Sequence, residues 1–348
     1  MRRPADAPTS VVLDSLDAIA FGETPLVVDE TSGQLAETLR EMGAAPQVWR
    51  RFADGSAMGE AWPAASACSS AFVRLGKDRR ALAMALDAAA SVVAPGGAMV
   101  LFGGNAEGVK SATKSLDVVA EGVVTVDTRK HSRVLAGKRR AEIVGLRGSL
   151  AAWRDVGRLE LNGQVRPWIS YPGVFAGGAL DAGTALLLDH LPDLSARKQG
   201  TAVLDLACGT GVIGAVVRER YAGASVDLVD ADAVAAVASR ENVAGATVIC
   251  GDGLAAAPRA RYDAILSNPP IHDGIEENLG FLERLIREAP AHLAVGGVLQ
   301  VVIPSRIRVA ARWFEDAFGE CSVVASDRRY QVIRATKAPA SASRRAGR

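Results

Sequence analysis

Ala202-Val203-Leu204-Asp205-Leu206-Ala207-Cys208-Gly209-Thr210-Gly211-Val212-Ile213-Gly214 reads as an apolar strand, a glycine turn and the start of a helix. Glycines in such a turn let the backbone take positive φ and come close to a bound ligand. The next strand, Val226-Asp227-Leu228-Val229-Asp230, ends in an acid 19 residues after Gly211, where a carboxylate can accept both hydrogen bonds of a ribose diol. Thr247-Val248-Ile249-Cys250-Gly251-Asp252-Gly253 ends a third strand in another acid, placed to accept from an adenine amino group. Asp263-Ala264-Ile265-Leu266 is the fourth strand, and Ser267-Asn268-Pro269-Pro270-Ile271-His272-Asp273-Gly274 follows it. Ligand groups thus stand at the carboxyl ends of successive strands, where open α/β sheets bind ligands.

The Asn-Pro-Pro turn has its own chemical rationale. The two proline rings fix φ and stiffen the turn. A stiff turn can hold the Asn268 amide and the Pro269 carbonyl at the rim of the sheet. These acceptors can grip an exocyclic amine and aim its lone pair at an electrophile, a proximity effect of up to roughly 7–11 kcal/mol. The bland alternative is a proline turn that only ends a strand.

A chain of 348 residues, 49% of them hydrophobic, can fill the cores of two ordinary domains. Its 40 Lys and Arg against 39 Asp and Glu leave a net charge of +1, so any polyanion contact has to come from local patches. Cys68, Cys208, Cys250 and Cys321 are scattered without a Cys-x-x-Cys pair, which speaks against disulfides or structural zinc and for a reducing cytosol. The start lacks a signal-peptide core, and Asp87, Pro95 and Gly96-Gly97 interrupt the best apolar run. A cytoplasmic, soluble protein without membrane contact is the expectation.

The first half alternates strands with helices. Leu26-Val27-Val28, Phe72-Val73-Arg74-Leu75 and residues 98–102 read as strands, and residues 32–42 and 79–93 as helices. Val93-Ala94-Pro95-Gly96-Gly97-Ala98-Met99-Val100-Leu101 has an echo at Leu293-Ala294-Val295-Gly296-Gly297-Val298-Leu299-Gln300-Val301. The spacing is one domain length, which implies two α/β domains of related build, although Gly-Gly also serves any helix-to-strand corner. Asp29-Glu30-Thr31-Ser32 and Gly76-Lys77-Asp78 stand where the second half has its glycine turn and its Asn-Pro-Pro. The first domain therefore lacks both pieces of apparatus. Arg129, Lys130, His131, Arg133, Lys138, Arg139, Arg140 and Arg147 crowd one segment, either for phosphate contact or as a solvated face. Gly108-Val109-Lys110-Ser111 misses the spacing of a nucleoside triphosphate loop.

Between the halves, Asn162-Gly163 signals a hairpin. Tyr171-Pro172-Gly173-Val174-Phe175-Ala176-Gly177-Gly178 reads as a mobile cover with Phe175 as a stacking surface, or as a plain interdomain loop. Residues 179–191 form a helix with Leu180, Leu187, Leu188 and Leu191 inward. Pro290 is expected to kink the helix over residues 279–293. After Arg334 the chain is rich in Ala, Ser and Arg, with four basic residues and no acid, and residues 335–348 read as a disordered basic tail.

Two cofactors suit the glycine turn. Gly209-Thr210-Gly211-Val212-Ile213-Gly214 also fits the dinucleotide fingerprint of NAD. Asp205 within the strand, able to fix the loop and a cationic end, and the Asn-Pro-Pro turn, useful in amine methylation and idle in hydride transfer, favour S-adenosylmethionine.

With these residues in place, the chain resembles the RsmC/RlmG-type ribosomal RNA guanine-N2 methyltransferases, class I enzymes of the Asn-Pro-Pro group. The resemblance rests on Pro172-Gly173-Val174-Phe175, Leu180-Asp181-Ala182-Gly183, residues 204–211 and residues 267–274, with Gly104-Asn105, Gly108-Val109-Lys110-Ser111-Ala112 and Arg129-Lys130 in the first half. It implies two tandem Rossmann-like methyltransferase domains. The first, residues 1–155, would be degenerate and hold RNA. The second, residues 156–334, would be catalytic, a seven-stranded mixed sheet with helices on both faces.

The implied substrate is the N2 amine of a guanine in ribosomal RNA, the small subunit favoured, with the base flipped out of its stack. Asn268, Pro269, Pro270 and Ile271 would be catalytic. Asp205, Ala207, Cys208, Gly209, Gly211, Asp230, Ala231, Asp252, Gly253 and Asn268 would hold S-adenosylmethionine. Gly173, Phe175, His272, Asp273, Arg129 and Lys130 would meet substrate. His272 reads as a base-edge or structural contact and Asp273 equally as a helix cap. No metal is expected, and the expected oligomeric state is a monomer. Ile271 stands where the family carries an aromatic, a loss of part of the roughly 1–3 kcal/mol of base stacking that Phe175 could offset. Ala207 stands where glycine is common. Methylation of adenine N6 or of a protein glutamine, and a catalytically silent RNA-binding assembly factor, are the competing readings.

Overall fold

The computed structural model describes residues 5–195, 200–271 and 276–339. His272 and Asp273 lie outside the described residues, as does the chain beyond residue 339. The chain divides into two compact units, one of Met1–Phe52, Gly59–Asp155 and Tyr171–Gly173, the other of Ala53–Met58, Val156–Ser170 and Val174–Arg348.

The first unit runs α1 (Ala7–Leu13), β1 (Pro25–Val28), α2 (Gln34–Glu41), β2 (Gln47–Trp49), β3 (Cys68–Arg74), α3 (Arg79–Val92), β4 (Val93–Gly104), α4 (Val109–Val119), β5 (Ala120–Arg129) and β6 (Ser132–Arg139). Its sheet order is β2-β1-β3-β4-β6-β5. The first four of these strands are parallel and the last two pair antiparallel. Both faces carry apolar clusters, with Val28, Val73 and Leu101 on one side and Val27, Phe72 and Val100 on the other. Continuous apolar strands, whose successive residues serve opposite faces, are what a sheet covered on both faces requires.

The second unit has β7 (Asp155–Leu161), β8 (Gln164–Ser170), α5 (Ala182–Asp189), β9 (Ala202–Leu206), α6 (Val212–Arg220), β10 (Ser225–Asp230), α7 (Ala233–Asn242), β11 (Thr247–Cys250), β12 (Tyr262–Ser267), α8 (Glu276–His292), β13 (Leu293–Pro304), α9 (Val309–Phe318), β14 (Ser322–Ser326) and β15 (Tyr330–Thr336). Seven strands lie in the order β11-β10-β9-β12-β13-β15-β14. Strands β11 to β13 in that order are parallel, and β15 and β14 are antiparallel. This is the order of the first sheet with one more strand at the β11 edge. The Gly-Gly echo falls at equivalent corners: a Cβ on Gly97 would lie 2.3 Å from the Ser69 carbonyl of β3, and one on Gly297 would lie 2.9 Å from the Tyr262 carbonyl of β12.

The β7–β8 hairpin turns at Asn162 and Gly163, φ 53 and 74, as its Asn-Gly signal predicts. Other boundaries differ. Helix α5 starts at Ala182 rather than 179, because Ala176, Gly177 and Gly178 take φ 58, 56 and 85 and Asp181 then caps the helix. Leu180 consequently lies outside the helix and is 38% exposed, while Leu187 and Leu188 are buried. Helix α8 runs on through Pro290 to His292. Strand β15 extends past the expected start of the tail to Thr336, and Lys337 still exchanges backbone hydrogen bonds with Gly296 and Gly297.

Candidate active site

Strands β9 and β12 are neighbours with Leu206 opposite Ser267, and the Ser267 hydroxyl donates to the Leu206 carbonyl at 2.7 Å. The glycine turn that leaves β9 and the Asn-Pro-Pro turn that leaves β12 therefore start side by side. Their proximity follows from strand register.

The turn after β9 is held tightly. Ala207 and Gly209 take φ 57 and 55, and Gly211 takes φ 86 as the N-cap of α6. For Ala207 this conformation costs of order 1–3 kcal/mol. A Cβ on Gly211 would lie 2.7 Å from Val243, so close packing as well as φ requires glycine there. Gly209 N–H donates to Asp230 Oδ2 at 2.7 Å, and Asp232 N–H to Asp230 Oδ1 at 2.8 Å. Cys208 is buried near the Ser239 hydroxyl, and burial pushes its thiol well above the usual range, which unfits it as a nucleophile.

Asp205 is fully buried beneath the turn. Its Oδ2 accepts from Gly214 N–H at 2.8 Å, while Oδ1 has no hydrogen-bond partner. Burial raises its pKa to about 7, against the lowering effect of the Gly214 bond and with a smaller push from Asp230. Asp205 fixes the helix start and does not line the cleft in front of the turn.

Asn268 is oriented by residues that sequence reasoning did not assign. Its Nδ2 donates to Asp181 Oδ2 at 3.0 Å and to Thr184 Oγ1 at 2.9 Å. Asp181 Oδ2 also accepts from Thr184 N–H and caps α5. The available signal was Asp-x-x-Thr ahead of an apolar helix, read only as part of a resemblance. With Nδ2 committed to a carboxylate, the side-chain oxygen is the group left for a ligand.

Two cavities meet at Asn268. A narrow cleft of about 30 Å³ is lined by Ala207, Cys208, Gly209, Thr210 and Asn268. A larger one of about 500 Å³ is lined by Asn268, Pro269, Ile271, Arg306, Arg329 and Tyr330 among others. Phe175 and Asp181 border both. Ile271, half-buried, also packs on the core of the second unit. Phe175, 50% exposed, and Tyr330 supply the aromatic surface that Ile271 does not.

The other expected residues line neither cavity. Pro270 is exposed and lines neither cavity. Gly173 lies in the first unit, where a Cβ would lie 2.6 Å from Ala81 and 2.9 Å from Arg51, so its small size serves packing there. Ala231 and Asp252 lie just past the ends of β10 and β11: the Ala231 carbonyl accepts from Ala53 N–H, and Asp252 pairs with Arg284 at 2.7 Å. Gly253 takes φ 67 beside that arginine. In the first unit, Arg129 pairs with Asp127 at 2.5 Å and Lys130 donates to Ser10 Oγ at 2.7 Å. Arg139 and Arg140 spend their guanidinium groups on backbone carbonyls, and Arg147 stacks on Trp153 at 4.0 Å. These five side chains have partners within the first unit.

The corner after β1 explains why the first unit lacks a second cofactor turn. Glu30, buried, folds its carboxylate over the start of α2 and accepts from Ser32 N–H, Ser32 Oγ and Gly33 N–H at 2.7, 2.5 and 2.9 Å. The amides that a ligand would use are already satisfied. Among the described residues there is no cluster of His, Cys, Asp or Glu fit to hold a metal, and no helix long and apolar enough to cross a membrane.

A sheet of this order, with a glycine turn after its central strand and Asn-Pro-Pro on the neighbouring one, is that of a class I methyltransferase, preceded by a degenerate copy of the same fold. Residues 167–334 match the family "Methyltransferase small domain", and residues 22–145 match "Methyltransferase small domain N-terminal". The chain is 38% identical over 234 residues to the ribosomal RNA small subunit methyltransferase C of Chromohalobacter salexigens, covering 66% of this chain and 67% of that one. It is 34% identical over 328 residues to the protein of the same name from Pseudomonas putida, covering 89% and 92%. The solved T. thermophilus 16S rRNA N2-guanine methyltransferase, in complex with AdoMet and guanosine, superposes with a TM-score of 0.81 at 24% identity, over 97% of this chain and 94% of that one. The chain belongs to the ribosomal RNA small subunit methyltransferase C family.

Proposed function

We propose that this protein methylates the exocyclic N2 amine of a guanine in small-subunit ribosomal RNA, in the cytoplasm, using S-adenosylmethionine. The observation that carries this reading is Asn268, its amide nitrogen tied back to Asp181 and Thr184 and its oxygen left at the junction of a narrow and a wide cavity.

The residues present fit the cofactor. The backbone of residues 207–210, Asp230 and Asp252 follow one another along adjacent strand ends. At about 4.8 Å between strands, that row is about 10 Å long, suited in turn to an amino-acid end, a ribose and an adenine. S-adenosylmethionine supplies an electrophilic methyl group when bound. The chain's own part is positioning. Asn268 Oδ1 and the Pro269 carbonyl accept from the guanine amine and turn its lone pair toward the cleft. Phe175, between the two cavities, screens the reacting nitrogen from water.

The test is methyl transfer to small-subunit RNA by wild type and Asn268→Ala, with the modified nucleoside identified by mass spectrometry. N2-methylguanosine from wild type, and a rate lowered about 100-fold or more in the variant, is the expected result. Methylation at adenine N6 or of protein glutamine, or an unimpaired variant, would overturn the reading.

A further inference from the structure

The first unit has a cavity that the proposed reaction does not use. It lies where β3 and β4 end, between the starts of α3 and α4, and holds about 460 Å³. That volume falls within the range of about 300–1,000 Å³ usual for ligand sites. The shared sheet order sets β3 and β4 where the second unit has β12 and β13. The cavity therefore takes the place that the wide cavity beside Asn268 and Pro269 has in its own unit. Open α/β sheets bind ligands at this end of their strands.

The lining gathers charge of one sign. Lys77 follows β3, Arg79 begins α3 and Lys114 lies on α4. All three are exposed, and among the described residues none of their side chains forms an ion pair or a hydrogen bond. Among the described residues, Glu107 is the one carboxylate of the lining. Arg74 takes both its oxygens, at 2.7 and 2.8 Å, and Gly104 N–H donates to it at 2.6 Å. Arg74 is shared with Asp6 at 2.8 Å, so this group keeps one net negative charge against the three cations. Asp78, between Lys77 and Arg79 in sequence, caps α3 by accepting from Ala81 N–H at 2.7 Å and does not line the cavity.

A cleft lined by one sign of charge over apolar walls focuses its field and concentrates ions of the opposite sign. Leu75, Leu82 and Ala112, all buried, supply the apolar walls. Ser115, half-buried, has a hydroxyl without a hydrogen-bond partner among the described residues, and it can donate to an oxyanion. Lysine and arginine donors bind phosphate oxygens through charge-assisted hydrogen bonds. The lining holds no aromatic ring among the described residues, so nothing there stacks a base. Such a set of donors contacts phosphate and carries no readout of sequence.

We propose that Lys77, Arg79, Lys114 and Ser115 form a phosphate-binding site in the first unit. The fold that lost its cofactor turn after β1 keeps a ligand cavity two strand ends along, turned to an anion. The site stands on its own geometry; that the phosphate arrives on an RNA strand rests on the proposed function.

Two probes separate the sources of phosphate. One is fluorescently labelled small-subunit RNA, followed by anisotropy across a KCl series. The other is inorganic phosphate, followed by calorimetry. Both are applied to the full-length wild type, Lys77→Gln, Arg79→Gln, Lys114→Gln, the triple variant and Lys138→Gln, the last an exposed lysine of β6 that does not line the cavity. Each single change in the cavity is expected to weaken RNA binding about 5-fold and to lower the slope of log Kd against log salt by roughly 0.7. Lys138→Gln is expected to change Kd by less than about 2-fold, since an exposed charge away from the site is screened. Lys114→Arg keeps most of the affinity, and affinity for S-adenosylmethionine stays at the wild-type value throughout. Loss of RNA affinity confined to the cavity variants supports a strand phosphate. Saturable binding of inorganic phosphate that the triple variant loses, with RNA affinity unchanged, supports the site and overturns RNA as its source. Equal losses in Lys138→Gln and Lys114→Gln overturn the site, as does wild-type behaviour of the triple variant with both probes. Where the triple variant melts early, Lys114→Gln and Lys114→Arg are compared, and equal affinities overturn the site. Wild-type methyl transfer, run in parallel, reads the parent proposal separately.

Discussion

Asn268 Nδ2 lies 3.0 Å from Asp181 Oδ2, and this one contact decides which end of the Asn268 amide meets the substrate. An ionised carboxylate only accepts, so the nitrogen turns to Asp181 and the oxygen turns away. In Asp181→Asn the α5 cap survives, since Asn caps as well as Asp, but the partner can now donate or accept and the Asn268 amide is free to rotate. The variant should melt within about 0.5 kcal/mol of wild type while single-turnover methyl transfer falls about 100-fold, the scale of a misplaced positioning group. Normal transfer by a normally folded variant would remove Asp181 from the site.

Asp205 makes stability depend on pH in an unusual direction. Its pKa is about 7 in the fold against 3.8 for an unperturbed aspartate, burial being the main cause. Between those values the folded chain holds a proton that the unfolded chain has lost, so this group's contribution falls as pH rises from about 4 to about 7 and is level above. Asp205→Asn keeps an acceptor for Gly214 N–H and removes the titration. Melting temperatures at pH 5 and pH 8 should therefore differ less in the variant than in wild type, and an unchanged difference would mean that Asp205 is ionised throughout.

Local chemistry was legible in the sequence; long-range partnership was not. Gly209, Gly211 and the Asn268 turn announced themselves because strand, turn and helix are coded within a dozen residues of one another. The Asp181 to Asn268 bond spans 87 residues, and nothing in Leu180-Asp181-Ala182-Gly183 alone says what its carboxylate will hold. Arg129 and Lys130 read either as phosphate contacts or as part of a solvated face, because composition counts charges without showing that Asp127 and Ser10 meet them. Arg328 and Arg329 carry no local signal, since a hairpin turn becomes a cavity wall only when β15 pairs with β13.

Glu30 gives the first unit a stability test independent of catalysis. Its carboxylate satisfies two backbone amides and a hydroxyl at a buried corner. Glu30→Ala orphans them and should cost about 2–4 kcal/mol in urea unfolding. Affinity for S-adenosylmethionine, measured at low urea, should stay at the wild-type value. A large loss of cofactor affinity would show that the corner takes part in binding.

The second unit borrows Ala53–Met58 from the first half of the sequence. Ala53 N–H donates to the Ala231 carbonyl at 2.8 Å, one residue past Asp230, and a Cβ on Gly55 would lie 3.8 Å from Asp252 Oδ2. Asp54 folds the segment back by accepting from the Ser56 and Ala57 amides. These residues therefore brace the strand ends expected to meet ribose and adenine. Ala53→Pro removes the donor to Ala231, and at about 1 kcal/mol for a net hydrogen bond the Kd for S-adenosylmethionine should rise about 5-fold by calorimetry. RNA affinity should not follow it. A variant that keeps the wild-type Kd would confine the cofactor site to residues after 173.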